Sequence, residues 1–251
     1  MSDSRLLTMT GHGFKSGGFD KAVLAVGSTE YHGDHLPYGT DTLVAEHLAK
    51  AVAERVEGML MLPPLPFGMS AHYSSFPLAV TLSTETLMRV LKEVFASLLK
   101  HGMERLLIVN GHDGNISPID AAVREFRVEH PEFRVAVLEA WWVSAGALIP
   151  DDTFEVWGGQ GHAGEGETSM MLAVAPGLVE MDRARGVVPD LPLHVQVKWN
   201  FDELTPYGVT GDPTKATKGK GRLMRDALVE LLVEFVGKMD ERGWDFTFYK
   251  V

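Results

Sequence analysis

Four short apolar runs, each broken off by a polar or proline-rich stretch, set the architecture this chain can adopt. Residues 22–26, 59–62, 105–109 and 134–138 are rich in Val, Leu, Ile, Ala and Met and show little alternation. Such runs predict strands covered on both faces, as in a parallel sheet. Between and after them, apolar residues recur at spacings of three and four. Leu43, Val44, Leu48, Ala51 and Val52 predict a helix over 42–56, which Gly58 stops; Leu87, Val90, Leu91, Val94, Phe95 and Leu98 predict one from Ser83 or Thr84 to Lys100. Further helices are predicted over 117–130, 167–174 and 218–242, whereas 1–20 and 186–221 lack periodicity. The order strand, loop, helix, strand predicts an α/β fold with a mostly parallel central sheet. No repeat or linker divides residues 1–251, so one domain is expected.

Composition narrows the chemistry. The net charge is −11, which argues against a nucleic-acid partner, since phosphate binding calls for a basic face. There is no cysteine, so any metal site must use nitrogen and oxygen ligands. The N-terminus shows no signal-peptide pattern and no apolar run approaches eighteen residues, so a cytoplasmic protein without a membrane span is expected.

Three segments set histidine beside carboxylates among glycines. The first, Gly27-Ser28-Thr29-Glu30-Tyr31-His32-Gly33-Asp34-His35-Leu36-Pro37-Tyr38-Gly39-Thr40-Asp41, follows the first apolar run. In extended backbone residues two apart share a side, so Glu30 and His32 face one centre, and the turn through Gly33 and Gly39 returns Asp41 to it. The second, Asn110-Gly111-His112-Asp113-Gly114-Asn115, follows the third run. The third is His162-Ala163-Gly164-Glu165-Gly166-Glu167-Thr168-Ser169. In parallel sheets ligands bind beyond the carboxyl ends of the strands, where the first two segments fall. Carboxylates mixed with imidazole suit zinc, manganese or iron(II) better than calcium. Trp141, Trp142 and Trp157 are candidates for lining a pocket, and His35 and His72 for contacting substrate.

In this order and spacing the three segments resemble the creatininase (creatinine amidohydrolase) family, whose pattern is G-S-x-E-x-H-G-x-H-L-P-x-G-T-D, then N-G-H-x-x-N, then H-x-G-x-x-E-T-S. The resemblance spans residues 27–169. It implies a three-layer α/β hydrolase with two divalent metal ions per chain, assembled as a homohexamer and acting on a small molecule. Carried over, Glu30, Asp41 and His112 would hold one ion, and His32 with a bridging Asp41 the other. Creatininase has a further Glu where this chain has Gly114, so Glu165 is the expected replacement. His162 is expected to protonate the leaving group, Glu167 to orient it or act as acid/base, and His35, His72, Asp113 and Trp141 to meet the substrate. The reaction expected is hydrolysis of a C–N bond in a cyclic amide, lactam, formamide or peptide-like substrate. C–C hydrolysis of a keto-sugar or inosose-type diketone, and a silent metal-binding member, stay open as alternatives.

Overall fold

In the computed structural model, residues 4–192 and 197–245 are described. After a short helix, α1 (Gly11–Ser16), the chain enters strand β1 (Lys21–Val26), helix α2 (Thr40–Ala53), β2 (Met59–Met61), α3 (Thr84–Lys100) and β3 (Arg105–Asn110). It continues through α4 (Ile116–Glu129), β4 (Arg134–Leu138), α5 (Trp141–Leu148), α6 (Glu165–Val174) and α7 (Lys218–Glu241). Among the described residues the strands form one parallel sheet in the order β2-β1-β3-β4.

The two faces of the sheet follow from the two-residue period of a strand. Val23, Ala25, Leu107, Val109, Ala136 and Leu138 point into one core, shared with α2, α6 and α7. Ala22, Leu24, Val26, Leu106, Ile108 and Val135 point into the other, shared with α3 and α4. Helix, sheet, helix: three layers, as expected.

The four strands and the helices α3, α4 and α7 lie within a residue or two of their expected bounds. Three differences matter for the site. Helix α6 begins at Glu165, two residues before the expected start. Residues 141–148 are helical although the Trp-Trp-Val-Ser-Ala-Gly-Ala-Leu sequence has no polar face to betray a period. The irregular 186–221 segment folds back on itself, where Val187 bridges Thr210, and brings Phe201–Glu203, one turn of 3-10 helix, to the crevice. Residues 193–196 of that segment fall outside the described residues.

From β1 the chain crosses through α2 to β2 on one side, and from β3 through α4 to β4 on the other. The order reverses between β1 and β3. A crevice opens at such a switch point beyond the strands' carboxyl ends, and Glu30 and His112 leave β1 and β3 there.

Candidate metal centre

Strand β3 ends against the first turn of α2. A side chain at Gly111 would put its Cβ 2.2 Å from the Asp41 carbonyl oxygen, so only glycine allows this approach. It brings His112 beside Asp41. Asn110 ties the turn down: its Oδ1 accepts from the His112 N–H (3.2 Å) and its Nδ2 donates to the His112 and Glu139 carbonyls. Asn115 binds the first and second loops together, donating to the Gly27 carbonyl (2.9 Å) and accepting from the Met69 N–H (3.0 Å). The sequence singled out the histidine between these asparagines; the clamps were missed. Their signal was present as amides beside glycine at a strand end.

Six side chains meet at this crevice, and the three histidines among them have one feature in common. Each of three histidines donates one ring N–H to a backbone carbonyl: His32 Nδ1 to Glu30 (3.0 Å), His112 Nε2 to Met69 (3.1 Å) and His162 Nε2 to Tyr31 (2.8 Å). A carbonyl only accepts, so the proton is fixed there and the other nitrogen is turned inward. His32 Nε2 meets Asp41 Oδ1 at 2.9 Å and Glu167 Oε2 at 3.8 Å. His112 Nδ1 stands 3.2 Å from both Glu30 Oε1 and Asp41 Oδ2. His162 Nδ1 stands 3.8 Å from Glu30 Oε1.

Ser28 donates to Glu30 Oε2 (2.7 Å) and is itself bonded to the Ser70 hydroxyl. Glu30 Oε1 and Asp41 Oδ2 are buried without a well-aligned hydrogen bond, the His112 ring nitrogen standing 3.2 Å from each. Such orphaned anionic oxygens are costly unless a cation takes them up. Two ligands each about 2.1 Å from a common tetrahedral zinc stand roughly 3.4 Å apart, and His112 Nδ1 stands 3.2 Å from each of these oxygens. The donors fall into overlapping groups whose ligand atoms lie within 4.8 Å of one another: Glu30, Asp41 and His112; His32, Asp41 and Glu167; and Glu30, His32 and His162. This donor set fits divalent metal ions, and Asp41 is shared by two of the groups.

The charges tell the same story. Burial opposes charge on His32, but Asp41 and Glu167 outweigh it and lift its pKa to about 10. Burial likewise opposes charge on His112, and Glu30 and Asp41 hold it protonated well above the usual range. Protons thus occupy positions a cation fits. Burial raises Glu167 to about 7, only partly countered by His32. His162 goes the other way: burial, and then the charge on His32, lower it to about 3, so it is neutral at pH 7.

Helix α6 decides which glutamate reaches the centre. Residues two apart on a helix point roughly 200° apart, so Glu165 and Glu167 face opposite ways. Glu165, fully buried, accepts from the Glu155 and Val156 N–H groups and from Lys220 Nζ (2.6 Å). It is absent from the groups of candidate ligands, in which Glu167 appears instead. The strained residue Ala163 (φ 52°) donates its N–H to Glu167 Oε2 at 2.6 Å. A non-glycine residue there costs about 1–2 kcal/mol.

The crevice opens into a cavity of about 560 Å³ lined by His72, Asp113, Trp142 and Lys198, among others. Three expected residues lie elsewhere, one of them Trp157, which is exposed outside the cavity lining. Trp141 is 1% exposed in the core beneath α5, and its neighbour Trp142, about 100° round the helix, faces the cavity instead. His35 is also 1% exposed and bonds Thr168 Oγ1 (2.9 Å) behind the site. Tyr73 and Phe201 complete the wall, packing on the His162 ring at 4.5 and 5.0 Å. Phe201 comes from the irregular segment, where no periodicity marks it.

The sequence profile of the creatininase (creatinine amidohydrolase) family matches residues 8–236. The chain is 33% identical over 227 residues to the mycofactocin precursor peptide peptidase of Mycobacterium ulcerans, covering 86% of this chain and 84% of that one. It is 31% identical over 233 residues to the creatinine amidohydrolase of Pseudomonas putida, covering 85% and 87%. A solved manganese form of creatininase superposes with a TM-score of 0.79 at 29% identity, over 95% of this chain and 98% of that one. With the same fold and the same three segments converging on one centre, the chain belongs to the creatininase family of metal-dependent amidohydrolases.

Proposed function

We propose that the chain hydrolyses an amide C–N bond in a small cyclic amide, lactam, formamide or peptide-like substrate, using two divalent ions. Glu30, Asp41 and His112 would hold one ion, and His32, Asp41 and Glu167 the other. The carrying observation is the pair of buried carboxylate oxygens, Glu30 Oε1 and Asp41 Oδ2, that have no well-aligned hydrogen bond and stand 3.2 Å from the inward-turned His112 Nδ1. Zinc suits this set first, with manganese or iron(II) as alternatives. When bound, such ions supply a water acidic enough to attack near neutral pH and a Lewis acid for the carbonyl.

The chain's own groups do the rest. Neutral His162 accepts a proton at Nδ1 while Tyr31 holds Nε2–H, and passes that proton to the departing nitrogen. Tyr73 and Phe201 keep its ring in place. Asp41 joins the two halves of the centre through separate oxygens. A cavity of about 560 Å³ lies within the range of roughly 300–1,000 Å³ that holds drug-sized ligands, which favours substrates larger than one small ring. His72 and Asp113 are placed to meet them. A homohexamer of single-domain chains in the cytoplasm completes the reading.

The test is metal content and turnover together. Wild-type protein is expected to carry up to two ions per chain and to lose hydrolysis of amide substrates on chelation. Asp41→Asn is expected to lower occupancy of both positions. Full ion content in that variant, or turnover untouched by chelation, would overturn the assignment. Light scattering that reads a monomer would remove the hexamer.

A further inference from the structure

The second histidine of the first segment, His35, meets no substrate-facing surface, yet it is bonded into the strained turn beside the centre. Thr168 Oγ1 donates its hydrogen to the Ala163 carbonyl (3.0 Å). A hydroxyl has one hydrogen to give, so the bond between His35 Nε2 and Thr168 Oγ1 (2.9 Å) runs from the histidine. The direction is therefore fixed: His35 to Thr168 to the Ala163 carbonyl. Ala163 is fully buried with φ at 52°, and its N–H points at Glu167 Oε2 (2.6 Å). Its preceding residue is His162.

We propose that His35 and Thr168 are positioning residues: they hold the Ala163 peptide in its left-handed conformation so that its N–H fixes the Glu167 carboxylate for the second ion. This rests on the two-ion reading above. Thr168 and His35 are both buried, and neither belongs to the ligand groups. Their side chains reach the centre by hydrogen bonds through Ala163 and are not among the candidate ligands. Outer partners that orient a ligand typically change metal affinity 10–100-fold.

Manganese or zinc titration against a competing chelator reads the outcome directly. Thr168→Val keeps the shape and removes the hydroxyl; it is expected to weaken one of the two ion affinities about tenfold or more and leave the other within about twofold. Thr168→Ser, which keeps the hydroxyl, is expected to restore the loss. His35→Leu, in which Thr168 loses its donor, is a second variant and should weaken the same affinity in the same direction. A merely structural role would lower thermal stability without singling out one ion. Wild-type protein that binds no second ion overturns the two-ion reading and this proposal together. Two ions bound with unchanged affinities in both Thr168→Val and His35→Leu overturn this proposal alone.

Discussion

Lys220 Nζ lies 2.6 Å from Glu165 Oε1, joining the start of α7 to the start of α6. Glu165 is fully buried and Lys220 keeps 15% of its side chain exposed. With two backbone N–H donors completing the carboxylate's partners, Glu165 serves as the anchor between these helices.

Glu165→Gln is accordingly expected to destabilise the fold while leaving the ions in place. The amide keeps the size but loses the charge that Lys220 and the two N–H groups use. A charge-assisted bond of this kind contributes about 1–3 kcal/mol. Denaturant melts should show that loss, and elemental analysis should show unchanged metal. Glu167→Gln should do the reverse, emptying or weakening one position. Loss of metal in Glu165→Gln at full stability would return Glu165 to the ligand set.

Why the sequence pointed to Glu165 rather than Glu167 is a matter of two residues. The sequence leaves the phase of α6 open, and only the helix's start at Glu165 shows that the two carboxylates oppose each other. The same limit applied to Trp141 and Trp142: adjacent helical residues diverge by about 100°, and a uniformly apolar helix gives no period to say which faces out. The strands were legible because buried parallel strands are runs, not patterns, and need no phase. Glu30, His32, Asp41 and His112 were legible because short turns at strand ends leave little freedom in where they point. Phe201 was not, since its position depends on how a long irregular segment folds back.

A pH effect follows from His35. Burial, reinforced by the nearby His32, lowers its pKa from 6.5 to about 4. The unfolded chain then binds a proton that the folded chain refuses between those values. Stability is therefore fully present above about pH 6.5 and is lost as pH falls through about 4. A shift of this size corresponds to up to about 3 kcal/mol. The pH dependence of unfolding free energy should be shallower in His35→Leu than in wild type across that window. Parallel curves for the two proteins would remove His35 as a source of acid sensitivity.

The last expectation concerns Gly114. A Cβ at this position would sit 2.1 Å from the Met69 carbonyl oxygen and 2.6 Å from His112 Nε2. Those are the two atoms of the hydrogen bond that fixes the His112 tautomer. Even a methyl group must therefore push apart the Met69 loop and the histidine, and the Met69 N–H is itself held by Asn115, so the loop has little room to yield. Gly114→Ala is expected to turn His112 away from Glu30 and Asp41 and to weaken the ion they share by about tenfold or more, as loss of an orienting partner does. The ion proposed for His32 and Glu167 should be affected less, because the hydrogen bond to Met69 belongs to His112. Competition titration would show this as one affinity lost and one retained. If both affinities survive in Gly114→Ala, the His112–Met69 contact is not what orients the ligand.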